Sequence, residues 1–260
     1  MRLLYIGDVV GQPGRRALQD RLNSVVDRER VDFTVVNIEN AAAGFGVTEP
    51  ILRELEQLPI NAYTSGNHIW DKKDFVDAYE DWPHVIRPAN YPEGNPGKGS
   101  VIRATAGGIN VAVVQVMGNV FMPPCDNPFH VMDKLLPSLR DVKVIMVDIH
   151  CEATSEKQAM GRHLDGRVSA VLGTHTHVPT ADERILPNGT AFQTDVGMTG
   201  AYDSIIGFRP DEVLFRFLMN TPKKLEVAKR DIRLSGALVD IDEHTGKARS
   251  IVRISERVAD

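Results

Sequence analysis

Short apolar runs, separated by helical patterns, recur along the first two thirds of the chain. The runs occupy residues 3–6, 33–38, 60–64, 109–117, 142–149 and 168–172. Runs of this length that are apolar at successive positions predict strands buried on both faces, typical of sheets covered by helices. Between the first two runs, apolar residues recur at helical spacing from Ala17 to Val26, so a helix is predicted there as far as residue 29.

Punctuating residues indicate where these elements begin and end. Gln12-Pro13-Gly14 is predicted to break the chain before the first helix, and Thr48 is the expected N-cap of a helix that carries residues 51–58. Two pairs of β runs, one around Gly107-Gly108 and one around residues 243–246, predict hairpins. Further helices are predicted at residues 73–79, 131–136, 155–164 and 210–219, and an irregular connection at residues 83–99.

The alternation of strands and helices predicts an α/β fold with the helices outside the sheets. The late hairpins add the expectation of a second, mixed sheet stacked on the first. We therefore predict two stacked mixed β-sheets flanked by helices. The sequence has no internal repeat, low-complexity tract or long linker, so residues 1–260 are expected to form a single domain.

Composition restricts the class of function and the compartment. Hydrophobic residues make up 42% of the chain and charged residues 25%, as in ordinary globular proteins. The net charge of -5 argues against a surface that follows long nucleic acid, but it is compatible with a small nucleotide in a pocket. We recognise no signal peptide, and no run approaches the ~20 apolar residues of a membrane span. With only Cys125 and Cys151 present, we expect a cytoplasmic protein without disulfides and without a membrane partner.

Polar side chains capable of binding metal follow five of the predicted strands. Any one of them could cap a helix or serve a turn, but sites in open α/β sheets form beyond the carboxyl ends of the strands. Side chains alternate along an extended backbone, so the two histidines after the last of these strands are expected to point to the same side. The residues that together predict a common site are Asp8, Glu39, Asn40, Asn67, His68, His150, His175 and His177.

The chemistry of these side chains favours a reactive metal centre. Carboxylate, amide and imidazole groups without a cysteine thiolate are unlike the usual structural zinc site. All but His68 are candidate ligands, too many for one tetrahedral ion, and they suit two ions about 3.5–4 Å apart. Glu39, the only glutamate among them, is the expected bridge. One ion would take Asp8, Asn40 and His177 and the other Asn67, His150 and His175, with mixed assignments left open.

At these positions the sequence resembles the calcineurin-like metallophosphoesterases. Gly66-Asn67-His68 matches their Gly-Asn-His-Asp/Glu motif, His150 their lone histidine, and residues 173–177 their Gly-His-x-His motif with one residue inserted. Two positions depart from the family pattern. Val10 stands where Asp-x-His has its second ligand, and Asn37-Ile38-Glu39-Asn40 replaces Gly-Asp-x-x-Asp. Together with residues 148–150, 154–157 and 195–200, these departures resemble the bacterial YmdB-like branch.

The resemblance implies an α-β-β-α sandwich and a dinuclear metal-dependent phosphodiesterase. It further implies that a metal-activated water or hydroxide attacks phosphorus in small phosphodiesters. The substrates it implies are cyclic nucleotides, which include 2′,3′-cyclic nucleotide monophosphates. The two ions are expected to be manganese or iron, with zinc and magnesium as alternatives. His68 is the expected catalytic residue, donating a proton to the leaving oxygen; the alternative is that it only orients a metal ligand.

Two other functions stay open at the level of sequence. A phosphomonoesterase or protein phosphatase would use the same metals, and a nucleotide-binding regulatory protein would bind with little turnover. The expected partner is a small phosphodiester or nucleotide, and the sequence leaves open whether the chain forms a homo-oligomer. Lys157, Arg162 and His163 are interpreted as the solvated face of a helix, and Cys151 as a packing residue rather than a nucleophile.

Overall fold

The computed structural model describes residues 1–259. The strands are β1 (Arg2–Ile6), β2 (Phe33–Asn37), β3 (Ala62–Thr64), β4 (Ser100–Ala104), β5 (Asn110–Met117), β6 (Val144–His150), β7 (Ala170–Thr174), β8 (Arg184–Ile185), β9 (Ala191–Gln193), β10 (Gly200–Ala201), β11 (Ile232–Ile241) and β12 (Ala248–Arg257). The α-helices are α1 (Gly11–Glu29), α2 (Glu49–Leu55), α3 (Lys73–Ala78), α4 (Pro128–Leu135), α5 (Thr154–Leu164) and α6 (Pro210–Met219).

The first sheet combines the beginning and the end of the chain. β1 pairs in parallel with β2, and β2 pairs in parallel with β3. β11 pairs antiparallel with β1, with β12 and with the two-residue β10. The register places Ile6 opposite Val36 and Asn37 opposite Thr64. β1, β2 and β3 therefore end at the same edge, and the residues that follow them emerge together.

The second sheet is formed by the middle of the chain, in the order β4-β5-β6-β7-β9-β8. Its four central strands are parallel, and its two outer strands are antiparallel to their neighbours. His150 at the end of β6 lies opposite Thr174 at the end of β7. The residues that follow these two strands therefore also share one edge.

Three apolar layers hold the sheets and helices together. Leu3 and Tyr5 of β1 face the second sheet, whereas Leu4 and Ile6 face the helices on the outside. A third layer lies between the outer face of the second sheet and the helices α4 and α5. Because successive side chains of a strand point to opposite faces, complete burial of residues 3–6 requires cover on both sides. This arrangement confirms the predicted α-β-β-α sandwich of two mixed sheets flanked by helices.

Two details of the predicted layout are wrong. Gln12-Pro13-Gly14 lies inside the first turn of α1, because proline is tolerated where the first N–H groups of a helix have no partner within the helix. The late hairpin of β11 and β12 extends the first sheet, and the second sheet is formed by residues 100–193 instead. Local hydrophobic patterns predict strands, but long-range pairing decides which sheet each strand joins.

The strand ends that carry the candidate ligands consequently belong to two sheets rather than to one edge of a single sheet. β1, β2 and β3 supply one set, and β6 and β7 supply the other. Within residues 1–259, no helix combines the length and hydropathy needed to cross a bilayer. The expectation of a single domain over residues 1–260 stays a prediction.

Candidate metal centre

The two sets of strand ends surround a cavity of about 300 Å³. Glu39 and Asn40 line it from β2, His68 lines it from β3, and His175 and His177 line it from the segment after β7. Asp8 contacts His175, His150 contacts Glu39, and Asn67 in turn contacts His150. The structure thus brings together all the residues that the sequence singled out, namely Asp8, Glu39, Asn40, Asn67, His68, His150, His175 and His177.

The first group of donor atoms converges on His150. Its Nε2 lies 3.2 Å from a carboxylate oxygen of Glu39, 3.1 Å from Oδ1 of Asn67 and 3.1 Å from Nδ1 of His175. When the site is deprotonated, each of these atoms has a lone pair directed at the others. A single shared proton can form a hydrogen bond between only two of the atoms. Oxygen and imidazole donors in this arrangement fit a bound cation.

The second group shares Glu39 with the first. Ligand atoms of Asp8, Glu39 and His177 lie within 4.8 Å of one another, as do those of Glu39, His150 and His175. Oδ1 of Asp8 and Oδ1 of Asn40 are buried and have no hydrogen-bond partner among the described residues. A buried oxygen without a partner is costly, and a cation would satisfy both. The residues present therefore fit two ions that share Glu39.

Gly66 gives these groups room to approach. A Cβ atom at this position would lie 2.1 Å from Oε2 of Glu39 and 2.4 Å from Nε2 of His150. Contacts this short are not seen for real Cβ atoms, so any larger residue would displace one ligand or the other. This close approach explains why glycine precedes Asn67 and His68 in the third strand-end motif.

Burial and charge shift the protonation of the site in opposite directions. Burial would lower the pKa of His150, but the carboxylates of Glu39 and Asp8 outweigh it and raise that pKa. Burial would raise the pKa of Glu39, but His150 and other histidines lower it. Burial raises the pKa of Asp8, and burial together with the charge on His150 lowers the pKa of His175. The carboxylates thus favour a positive charge at His150, and a bound cation would supply that positive charge instead of a proton.

Hydrogen bonds behind the ligands fix their orientation. The hydroxyl of Thr174 donates to Asp148 at 2.6 Å and lies 2.9 Å from Nδ1 of His150, so it accepts from this nitrogen. Nδ1 of His177 lies 2.9 Å from the carbonyl oxygen of Ile206 and donates to it. Both histidines therefore keep Nε2 free for a ligand, as is usual for histidines that bind metal. Thr174 was not predicted as a functional residue, although its position between Gly173 and His175 was a usable signal.

The backbone at His175 and His177 is not extended, so the reasoning that placed both side chains on one side of a strand is wrong. β7 ends at Thr174, and both histidines have positive φ, 90° and 66°. The N–H of His175 donates to Asp8, and the N–H and hydroxyl of Thr176 donate to Asp195. Such backbone conformations are strained for residues other than glycine and cluster at functional sites.

Lys157 contacts Asp195, which binds the segment of residues 175–177. The interpretation of Lys157 as part of a solvated helix face is therefore wrong. Its ammonium group is buried and lies 2.7 Å from Oδ2 of Asp195, the same oxygen that accepts from Thr176. Surface and core lysines on a helix differ only in what packs over them, which the helical pattern does not reveal. Cys151 is buried, as expected of a packing residue, and burial together with Glu156 raises its thiol pKa to about 12.

One wall of the cavity is apolar and was not predicted. Phe45, Ile206 and Phe208 line it. Phe45 stacks on Phe208 with ring centroids 5.3 Å apart, and its ring also lies edge-on to His68 at 5.0 Å. None of these residues is a polar side chain directly after a strand: Phe45 lies later in the connection after β2, and Ile206 and Phe208 precede α6. The pattern that located the ligands could therefore not locate them.

Comparisons with known proteins agree on one family. A model of the YmdB-like protein family matches residues 4–254. The chain is 49% identical to the 2′,3′-cyclic-nucleotide 2′-phosphodiesterase of Bacillus subtilis over 98% of this chain and 96% of that protein. A structure of a hypothetical protein from Thermus thermophilus matches with a TM-score of 0.93 and 43% identity, covering 99% of both chains. A structure of a phosphatase from Mycoplasma pneumoniae has a TM-score of 0.93 and 32% identity, covering 99% of this chain and 93% of that one.

Proposed function

The chain belongs to the YmdB-like protein family of calcineurin-like metallophosphoesterases, and on that basis we propose that it hydrolyses small phosphodiesters, with 2′,3′-cyclic nucleotides as the substrate class. The name of the Bacillus subtilis relative supports the substrate class. The observation that carries the proposal is the pair of ligand groups that share Glu39 beside a cavity lined by His68.

Two metal ions are part of the proposal. Bound ions of this kind make water a stronger nucleophile and stabilise the negative charge that builds on phosphate oxygens. The mixture of oxygen and nitrogen donors supports manganese or iron, with zinc and magnesium as alternatives. We assign them the ligands Asp8, Glu39, Asn40, Asn67, His150, His175 and His177, with Glu39 shared.

His68 is the proposed proton donor. Its Nδ1 lies 2.9 Å from Oδ2 of Asp71, and its backbone N–H donates to Glu39 at 3.3 Å. Asp71 therefore orients the ring and leaves Nε2 as the group that can meet a substrate. In the reaction, a water oxygen bonds to phosphorus and one ester P–O bond breaks. The proton from His68 goes to the leaving oxygen, the water releases one proton to solvent, and His68 takes up a proton again from solvent. The product is a phosphomonoester with a free hydroxyl group.

Two alternatives have different support. The Mycoplasma pneumoniae structure is named a phosphatase, which supports a phosphomonoesterase as an alternative. A regulatory protein that binds nucleotides without turnover would gain nothing from His68 held by Asp71 beside the ligands. We therefore keep the monoesterase as the second candidate.

The variant His68→Ala tests the assignment of the proton donor. We expect kcat on adenosine 2′,3′-cyclic phosphate to fall roughly 10²–10⁴-fold, while elemental analysis finds the same metal content as in the wild type. His130→Ala, an exposed histidine on α4, is the matched control and should keep full activity. Unchanged turnover in His68→Ala would remove this residue from the mechanism.

Parallel assays on bis(p-nitrophenyl) phosphate and p-nitrophenyl phosphate separate the two candidates. Hydrolysis of the diester at the higher kcat/KM supports a phosphodiesterase, and the reverse order supports the monoesterase.

We also propose that the protein works in the cytoplasm, because Cys125 and Cys151 are both free thiols.

A further inference from the structure

The cavity beside the candidate metal centre has two chemically different sides. The metal-ligand side carries Glu39, Asn40, His175 and His177, and the apolar wall is formed by Phe45, Ile206 and Phe208. His68 lies between the two, because it contacts Glu39 on one side and the ring of Phe45 on the other. A phosphate ester held by the ligand side would therefore extend its organic part towards the apolar wall.

Ile206 is an unusual residue for its position. Its φ is 47°, a left-handed conformation that β-branched residues rarely adopt, and its side chain is 48% exposed. The turn is held by paired backbone hydrogen bonds between Ile205 and Phe208 and by the hydroxyl of Ser204, which accepts from Gly207. This turn places the carbonyl oxygen of Ile206 against Nδ1 of His177, and it leaves the half-exposed side chain of Ile206 lining the cavity, where a bound ligand would cover it.

The two phenylalanines support the rest of the wall. Phe45 is half-buried and stacks on Phe208, with an angle of 23° between their rings. Phe208 packs closely on Gly44, where a Cβ atom would lie 2.8 Å from its ring. Phe208 is therefore the buried member of the wall, and Phe45 and Ile206 supply its accessible surface.

We propose that the wall of Phe45, Ile206 and Phe208 is the site that binds the nucleobase of the substrate. This inference rests on the proposed function, since it assigns the part of the substrate that lies beyond the phosphodiester. A nucleobase is planar and presents apolar faces. Stacking on aromatic side chains is the usual way in which proteins bind a base without distinguishing which base it is. The wall thus favours cyclic nucleotides over phosphodiesters that lack a base.

The test compares two substrates that differ only in the base. The manganese-loaded protein is assayed on adenosine 2′,3′-cyclic phosphate and on methyl riboside 2,3-cyclic phosphate. The first variant is Ile206→Asn, because asparagine tolerates positive φ and so keeps the turn, including the backbone carbonyl that accepts from His177. Phe45→Leu is the second variant, and Val252→Asn is the control, since Val252 is also half-exposed but lies on β12.

We expect the wild type to prefer the nucleotide, and Ile206→Asn and Phe45→Leu to reduce this preference in kcat/KM roughly tenfold or more. Val252→Asn should keep the preference of the wild type. A preference that survives in both wall variants overturns the inference and leaves the proposed function standing, because the base-free diester is still hydrolysed.

If neither diester is hydrolysed, the result counts against the proposed function. The affinity of the protein for nucleotide then decides the inference. Titration calorimetry with adenosine 3′-monophosphate and with inorganic phosphate provides that measurement. We expect Ile206→Asn to weaken binding of the nucleotide roughly tenfold and to change binding of phosphate much less. Equal changes for the two probes would overturn the inference.

Discussion

Replacing Lys157 by methionine should destabilise the protein strongly, because it leaves a buried carboxylate without its counter-ion. Lys157 and Asp195 are 1% and 0% exposed, and the ammonium group lies 2.7 Å from the carboxylate. Removing one partner of a buried ion pair costs about 3–5 kcal/mol. Asp195 keeps bonds from Thr176 and from the N–H of Gly197, so we expect the lower end of this range.

Thermal unfolding measures this effect. For a chain of this size, about 3 kcal/mol corresponds to a fall in Tm of roughly 6–12 °C. Lys134→Met is the matched control, because Lys134 is exposed on α4, and its Tm should change little. The double variant Lys157→Met with Asp195→Asn should recover part of the loss, since it removes the unpaired charge.

The same variant reports on the candidate site. Asp195 holds Thr176, which lies between His175 and His177, so Lys157→Met should also weaken manganese binding about tenfold. A Tm equal to that of Lys134→Met would refute the account of the buried pair. A large fall in Tm with unchanged manganese affinity would instead refute the role of Lys157 in positioning the two histidines.

The remaining predictions concern the ligands, the metals and pH. Gly66→Ala should lower metal content and kcat/KM by an order of magnitude or more, measured by elemental analysis and turnover, because its methyl group would overlap Glu39 and His150. Incubation with EDTA should abolish hydrolysis and added manganese should restore it; full activity in EDTA would contradict the metal requirement. Burial raises the pKa of Asp182 but hydrogen bonds from two threonines outweigh it, so the folded-state pKa is lowered. This carboxylate therefore stabilises the fold above about pH 4 and loses that effect as pH falls, and urea midpoints of the wild type and Asp182→Asn should converge at acid pH.

The candidate ligands were predictable because their chemistry is local. Asp8, Glu39 and His150 each lie at or just after the end of an apolar strand. One such side chain could cap a helix or serve a turn, but several of them at successive strand ends indicate a metal site. Glu39 could be named as the bridge by residue type alone, and the structure places it in both ligand groups, although its role stays a prediction until metal is measured.

The backbone around the last two histidines was not predictable from the local sequence. An extended strand was expected to align His175 and His177, whereas both reach the cavity from a bent segment with positive φ. That segment is shaped by Asp8 and Asp195, which are distant along the chain and come into contact only after folding.

The sequence by itself determined the strands, the helices, the α/β class and the residue types that gather at the strand ends, because hydrophobic periodicity and ligand chemistry act over a few residues. Only the tertiary structure decided that two sheets share the site, that Lys157 is buried against Asp195, and that Phe45 and Ile206 form an apolar wall. The physical reason is that burial and contact depend on which distant segments pack together, and packing is a property of the whole chain rather than of any local pattern.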